Sequence, residues 1–243
     1  MKEFQRTVAC TALVVSSLLA LATGAQAADP AGPPPGSSLL PKPEAPAPRP
    51  FTLEDRYLDA ARRGDRKMLE LCLEKGVDPK AKDGFGRSAL LLAARDGHSL
   101  EIVRLLQSEG LAVDEPDVRG IAALGYAAGN GQLDLVAYLL DRGAAVNRKD
   151  TQGLTPLFNA ALSGQTDTVV RLLAAGADID TQDRFGDTPL IGACAKGRDD
   201  IARLLVDAGA DTTLKDQEGR TASERAASGA EFCRGLAARP SQG

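Results

Sequence analysis

Few residues in this chain of 243 could do chemistry. The single histidine, His98, excludes a multi-histidine metal site and the zinc-binding histidine pair of a metalloprotease helix. No serine or cysteine motif is placed to use His98 as a base, and no phosphate-binding loop or dinucleotide fingerprint is present. The acidic pair Asp199 and Asp200 stands where a helix is expected to begin, and the helix dipole favours negative charge there. We therefore predict that the chain is not an enzyme and requires no metal ion or cofactor.

Composition limits both the fold and the partners. Hydrophobic residues make up 43% of the chain and charged residues 26%, which is typical of a folded domain. Aromatic residues reach only 4%, so the core must consist of Ala, Leu and Val, and this favours thin layers of helices. The net charge of −4 gives no overall positive field to attract nucleic acid or an anionic membrane.

The N-terminal residues have the pattern of an export signal followed by a spacer. Two basic residues precede an uncharged, largely apolar run that closes with Ala25-Gln26-Ala27. This layout predicts a signal peptide over residues 1–27 that is cleaved after Ala27. Residues 28–50 are rich in Pro, which predicts a disordered linker. The alternative is that residues 7–24 remain as an uncleaved membrane anchor, although several polar residues dilute the apolar run.

An Asp and a Gly, three residues apart, recur every 33 or 34 residues. The pairs are Asp83/Gly86, Asp117/Gly120, Asp150/Gly153, Asp183/Gly186 and Asp216/Gly219. Each of the first four is followed by an Ala-rich segment, a Gly, an apolar segment with paired leucines, and another Gly. In one copy Val136, Leu139 and Leu140 form a stripe at helical spacing. The period predicts stacked units, each made of a short helix, a longer helix and a turn.

These units resemble the ankyrin repeat. Gly153-Leu154-Thr155-Pro156-Leu157 has the family pattern, and Gly186-Asp187-Thr188-Pro189-Leu190 repeats it. The resemblance covers residues 54 to about 232 and implies an all-α solenoid of helix-turn-helix units with short β-turn hairpins at their tips. We assign residues 51–243 to an ankyrin-repeat domain. It comprises an opening cap at 51–82, repeats at 83–116, 117–149, 150–182 and 183–215, and a closing cap at 216–243.

Several local features follow from residue type. Thr155 and Thr188 each precede a Pro, so we expect both to cap short helices. The repeat containing Ile121 lacks this Thr and Pro, and we expect it to be the most mobile copy. No copy carries the His of the family's usual Thr-Pro-Leu-His motif, so the stack should depend more on apolar packing. Thr221-Ala222 is predicted to begin a short helix in register.

The cysteines leave two interpretations open. Besides Cys10 in the predicted signal, the chain has Cys72, Cys194 and Cys233, and their spacing excludes redox and zinc-finger motifs. Cys72 and Cys194 stand at core-facing positions, where a thiol behaves as a small hydrophobic group. Cys194 and Cys233 lie in adjacent units, so an exported protein could instead join them in a disulfide.

The family resemblance implies a binding site in the concave groove between the turn tips and the short helices. By position, the predicted partner-binding residues are Phe85, Arg87, Arg95, Arg119, Ile121, Gln152, Leu154, Leu162, Arg184, Phe185 and Arg220. Phe85, Ile121, Leu154 and Phe185 are the expected apolar anchors. The surrounding residues are mostly basic, which predicts a partner with an acidic surface. Basic residues beside these turns are also common in the family, so their presence alone does not establish a ligand.

We therefore expect an exported, monomeric protein-binding module that binds no nucleic acid, takes no small-molecule substrate and is not inserted in a membrane after signal cleavage. The signal and the Ala- and Arg-rich composition resemble those of periplasmic ankyrin proteins of Gram-negative bacteria. That resemblance implies protection against oxidative stress alongside a catalase, or neutralisation of a periplasmic toxin. The alternatives are a membrane-tethered structural scaffold that keeps its N-terminal anchor and an effector secreted into a host cell.

Overall fold

The computed structural model describes residues 51–97 and 100–236, so the predicted signal peptide and linker, Cys10 and His98 lie outside the described residues. Within those ranges the chain forms helices and turns, with one isolated antiparallel bridge between Lys82 and Ser88. The helices are α1 Leu53–Arg63, α2 Arg66–Glu74, α3 Ala89–Arg95, α4 Leu100–Ser108, α5 Ala123–Asn130, α6 Leu133–Asp141, α7 Pro156–Ser163, α8 Thr166–Ala174, α9 Pro189–Ala195, α10 Asp199–Asp207 and α11 Glu231–Gly235.

The helices pack in two layers. In the first layer α1 contacts α3, α3 contacts α5, α5 contacts α7, and α7 contacts α9. In the second layer α4, α6, α8 and α10 pack in the same consecutive order. The two helices of each unit also pack on each other, as α5 does on α6 and α7 on α8. Each amphipathic helix thus buries its apolar face against neighbouring units, and the predicted all-α solenoid is confirmed.

Side-chain caps begin the shorter helices where the sequence predicts them. The hydroxyl of Thr155 accepts a hydrogen bond from the backbone N–H of Phe158 at 3.3 Å, and that of Thr188 accepts one from Ile191 at 3.2 Å. The following prolines occupy the first turn, where a missing N–H leaves no hydrogen bond unmade.

Helix α5 forms without such a cap. Ala122 occupies the cap position and supplies no side-chain hydrogen bond, as its sequence requires. The helix is instead held by burial, since Ala123, Leu124, Ala127 and Ala128 are at most 1% exposed between α3 and α7. Packing therefore replaces the missing cap in this repeat. Its greater mobility stays a prediction.

The core is built from columns of equivalent residues. One column consists of a fully buried leucine from each of the longer helices α4, α6, α8 and α10: Leu106, Leu139, Leu172 and Leu205. Cys72 takes the same place in α2 and is 1% exposed, so its thiol fills a leucine position in the core. Leu140, by contrast, is only partly buried at the edge of the core.

The closing cap departs from the repeat. The prediction of a short helix beginning at Thr221-Ala222 is wrong, because the chain makes a turn there over 222–225 and forms α11 only later. The carboxylate of Glu224 accepts the N–H of Thr221 at 2.7 Å, which supports the first turn. The N–H of Ala227 then donates to the carbonyl of Cys194 in α9 at 3.0 Å instead of continuing the helix.

Helix α11 is fastened to the stack by a disulfide and a carboxylate. Cys194 and Cys233 are bonded, with their Cα atoms 5.6 Å apart, so the structure selects the disulfide of the two interpretations left open for Cys194. Asp199 in α10 accepts the N–H of Phe232 at 3.0 Å and that of Cys233 at 3.4 Å. The sequence predicted that Asp199 stabilises the start of its own helix, α10. In the structure Asp199 also caps the start of α11.

Leu139→Ala should lower the free energy of unfolding by about 2–5 kcal/mol, because it empties a fully buried position. Leu140→Ala should cost less than half as much, because that side chain is partly in solvent. Urea unfolding followed by circular dichroism measures both values. Equal losses would contradict the assigned register of α6.

Replacing both Cys194 and Cys233 with Ser should lower stability by roughly 4 kcal/mol, the chain-entropy value for a disulfide with a sequence separation of 39. Urea unfolding with and without a thiol reductant measures the effect, and the reductant should change only the protein that retains the disulfide. Cys72→Ala is the control, since it removes the free thiol and should leave the reductant effect intact. A reductant effect of the same size in the double variant would refute this role.

Candidate protein-binding groove

Each turn tip is folded around the carboxylate of its aspartate. In all five copies one carboxylate oxygen accepts the backbone N–H groups of the residues two and four positions later, at 2.8–3.0 Å. The N–H of the aspartate itself donates to the carbonyl four residues on, as from Asp150 to Leu154 at 3.0 Å. These bonds close a hairpin of fixed shape, which explains why the sequence repeats an aspartate here.

Backbone hydrogen bonds join neighbouring tips. The N–H of Val118 donates to the carbonyl of Phe85 at 3.1 Å, and the N–H of Gln217 donates to that of Phe185 at 2.9 Å. Thr151 and Arg184 make the equivalent bonds to the preceding tips at 2.8 and 2.9 Å. The tips therefore form a continuous row, and side chains on it are held at regular intervals.

The predicted basic residues of the first repeats are largely neutralised within the chain. The Arg87 guanidinium lies 2.6 Å from the Asp83 carboxylate and 4.6 Å from the centre of the Phe85 ring. Arg95 pairs with Asp96 at 2.8 Å. The count of mostly basic residues therefore overstates the free positive charge here, because the turn aspartate itself attracts the arginine four residues later.

Arg119 belongs to a three-residue network. Its guanidinium donates to the hydroxyl of Tyr126 at 2.7 Å, and that hydroxyl donates to the Asp117 carboxylate at 2.7 Å. Burial and the hydrogen bond to Asp117 raise the pKa of the Tyr126 hydroxyl, so it keeps the proton that it donates. The network fixes the tip of the repeat whose helix lacks a side-chain cap.

The last tips carry a second network. Arg220 lies 3.0 Å from Asp216 and 2.7 Å from Glu218, whereas Arg225 of the closing cap lies 3.0 Å from Asp187. Burial raises the pKa of Asp187, and the positive charge of Arg225 partly opposes that rise.

The predicted apolar anchors differ in exposure. Phe85 and Phe185 are 61% and 52% exposed. Ile121 and Leu154 are only half-buried, and the recess between them measures about 10 Å³, about the volume that one water molecule needs. Gln152 and Leu162 are also half-buried. Of the four anchors, the two phenylalanines present the large contact surfaces.

Sequence reasoning missed three groups that shape the groove. Tyr126 bonds to Asp117 and Arg119 on the tip of its own repeat, and Arg225 of the closing cap pairs with Asp187 on the preceding tip. No repeat position signals either contact. A third group lies at the base of the hairpins, where Asp114 accepts the N–H of Ala145 at 2.9 Å and joins one repeat to the next. Asn147 and Asp180 make the equivalent bonds one and two repeats later, at 2.9 and 3.0 Å. The 33-residue spacing of these three residues was the available signal.

Other kinds of site find little support in the described part of the chain. No group of three or more His, Cys, Asp or Glu residues within 51–97 and 100–236 is arranged to hold a metal ion. Among the helices in those ranges, none combines the length and the apolar character needed to cross a membrane.

Gly153→Ala should destabilise the fold more than Gly219→Ala. Both glycines have positive φ, +83° and +77°, so each alanine should cost about 1–2 kcal/mol for backbone strain. A Cβ at Gly153 would also lie 3.0 Å from the Cα of Asp183 in the next tip, whereas one at Gly219 meets nothing within 4 Å. Thermal unfolding measures the loss of stability in each variant, and the difference between the two losses is the cost of the contact between neighbouring tips. Equal losses would show that the tips are farther apart.

Comparison with known proteins agrees with the repeat geometry. A family model described as ankyrin repeats in three copies matches residues 58–150 and 157–242. No curated protein matches the chain. The matched segments span the turn row, both helical layers and the closing cap, and the chain therefore belongs to the ankyrin repeat family.

Proposed function

We propose that this protein binds a protein partner in its groove, with Phe85 and Phe185 as the anchors. Ankyrin repeats generally mediate protein–protein interaction, and proteins built from them are typically non-enzymatic binding modules. The observation that carries the proposal is the exposure of two phenylalanines on a row of tips fixed by backbone hydrogen bonds. Rigid, exposed aromatic side chains give large contact area with little loss of conformational entropy on binding.

We also propose that the protein is exported to the periplasm of a Gram-negative bacterium and acts there as a monomer. The charge and small-residue pattern of residues 1–27 supports export, and the disulfide between Cys194 and Cys233 is compatible with an oxidising compartment. Within that compartment the partner would belong to a defence against oxidative stress or would be a toxin that the groove occludes. The genes beside this one discriminate between these roles, since one predicts a catalase and the other a secreted toxin.

N-terminal sequencing of the protein from fractionated cells tests the proposed location. An N-terminus at Ala28 in the periplasmic fraction is the expected result, because the signal should be removed after Ala27. An intact Met1 in the membrane fraction would support the tethered scaffold instead.

Replacing Phe85 and Phe185 with Ser should weaken capture of the partner by about tenfold or more, the typical effect of truncating a central aromatic anchor. The full chain would carry a photo-crosslinking residue at Ile121, between the two anchors, in the cells that produce it. Crosslinked bands are then compared by mass spectrometry between the wild type and the double variant. Helical content should stay unchanged, because both rings lie on the surface.

Val170→Ser is the matched control, since Val170 is 51% exposed on α8, away from the tips. It should leave the crosslinked bands unchanged. Equal crosslinking by the double variant would show that the partner does not use these phenylalanines.

A further inference from the structure

The cations of the tip row divide into a paired and an unpaired set. Toward the N-terminal end, Lys82 lies 2.5 Å from Glu115, Arg87 lies 2.6 Å from Asp83, and Arg119 is held by Tyr126 and Asp117. Farther along the row, Lys149, Arg184 and Lys215 are exposed and form no ion pair with any residue in the described ranges. The positive charge available to a ligand is therefore concentrated on the tips of the last three turns.

Hydrogen bonds between tips place these three cations on neighbouring tips. The Lys149 ammonium donates to the carbonyl of Gln182 at 3.3 Å, and the Gln182 amide donates to the carbonyl of Lys215 at 3.1 Å. The Gln217 amide donates to the carbonyl of Arg184 at 2.8 Å. Hydrogen bonds therefore join the tips that carry the unpaired cations. Binding at these tips would require little ordering of the backbone.

The acidic groups on the tip that carries Arg184 already have partners within the chain. Asp183 accepts the N–H groups of Phe185 and Asp187 at 2.8 and 2.9 Å, and Asp187 is paired with Arg225. The turn position that holds Arg87 in the first copy holds Leu154 and Asp187 in the third and fourth. In the last copy it holds Arg220, which pairs with Asp216 at 3.0 Å. Lys149, Arg184 and Lys215 are therefore exposed cations outside any ion pair within the described ranges.

An apolar contact surface accompanies the charge. Phe185 is 52% exposed, and the Arg184 guanidinium lies 4.5 Å from the centre of its ring. Beside the ring is a cleft of about 370 Å³, lined also by Gln217, Arg220 and Arg225 and by Asp187, Asp216 and Glu218, whose carboxylates contact arginines in the cleft. This volume accepts one large side chain of a ligand.

We propose that the tips bearing Lys149, Arg184, Phe185 and Lys215 bind an extended acidic segment of the partner that carries a bulky apolar residue between carboxylates. The apolar residue packs on Phe185 and enters the cleft, while the carboxylates meet the unpaired cations. This inference rests on the proposed groove function and adds to it the position and the chemistry of the bound segment. A nucleic acid is the competing occupant, but its phosphates would need a broader positive surface than three cations among paired charges.

Titration of the isotope-labelled full chain with a synthetic peptide tests this directly. The probe has two acidic residues on each side of one phenylalanine, and its matched control has Gln and Asn in place of Glu and Asp. Amide chemical shifts should change at Lys149, Arg184, Phe185 and Lys215 and stay constant at Phe85, Arg87 and Arg119. Raising the salt concentration should weaken binding, because exposed charges are screened. Equal binding of the neutral peptide, shifts confined to the first tips, or no shifts would overturn the proposal.

Charge reversal with a matched control separates local from overall charge. The triple variant K149E/R184E/K215E should bind the acidic probe about tenfold more weakly or not at all. K67E/K75E/K80E makes the same change in net charge at exposed positions of the opening cap and should alter binding less than about twofold. Equal losses in both variants would refute a local site, as would tighter binding of a single-stranded oligonucleotide than of the acidic probe.

The two proposals can fail separately. If F85S/F185S abolishes the crosslink to the natural partner while K149E/R184E/K215E preserves it, the groove binds a partner but the acidic-segment inference is wrong. If F85S/F185S leaves the crosslink unchanged, the proposed function itself is wrong.

Discussion

The interaction on which the whole structure depends is the turn carboxylate that accepts two backbone N–H groups. An unpaired N–H at a tip would lose a hydrogen bond, and Asp117 and Asp216 make theirs while only 7% exposed. The carboxylate fixes the hairpin, and the hairpin presents a backbone carbonyl to the next tip. Repetition of one local structure thereby becomes a continuous row with side chains at set intervals. Helix packing supplies most of the buried apolar surface, but this row determines where exposed groups stand.

The same carboxylate also controls the electrostatics of the groove. Its first oxygen serves the backbone, and its second attracts a cation when the sequence offers one nearby, as with Arg87 and Arg220. A basic residue near a tip is therefore often a structural partner of the turn. Four residues after Asp150 the chain has Leu154, so within the described ranges no arginine pairs with that carboxylate, and Lys149 remains exposed. A count of basic residues from the sequence consequently overstates the positive charge that is available to a ligand.

The parts of the fold that could be predicted from the sequence are those set by local backbone chemistry. The turns of the Asp/Gly period and the caps at Thr155 and Thr188 depend on residues close in the chain, and the burial of Leu139 was predictable from the apolar stripe on its own helix. The closing cap could not be predicted in the same way, because Thr221-Ala222 has the residues of a helix start and the chain leaves the helix to bond Cys194. For the site, residue positions on the tips were predictable from the period. Their pairing was not. Tyr126 bonds to Asp117 at a helix position that carries no tyrosine in the other repeats, and Arg225 pairs with Asp187 of the preceding unit, which only the folded stack brings near.

The two ends of the stack are closed by different interactions, and those at the last end also shape the groove. At the first end all the contacts are non-covalent: Thr52 and Asp55 form reciprocal hydrogen bonds that cap α1, and the Tyr57 hydroxyl donates to the carbonyl of Pro79. At the last end the described residues, which end at Leu236, form no full helix pair to cover α10, and a disulfide holds the short helix α11 there instead. The segment thus tied down also carries Arg225, the partner of Asp187 beside the Phe185 cleft. The same short segment, from Arg225 to α11, covers the end of the core and completes the last tips. A change that loosens this segment should therefore also change the shape of the groove at that end.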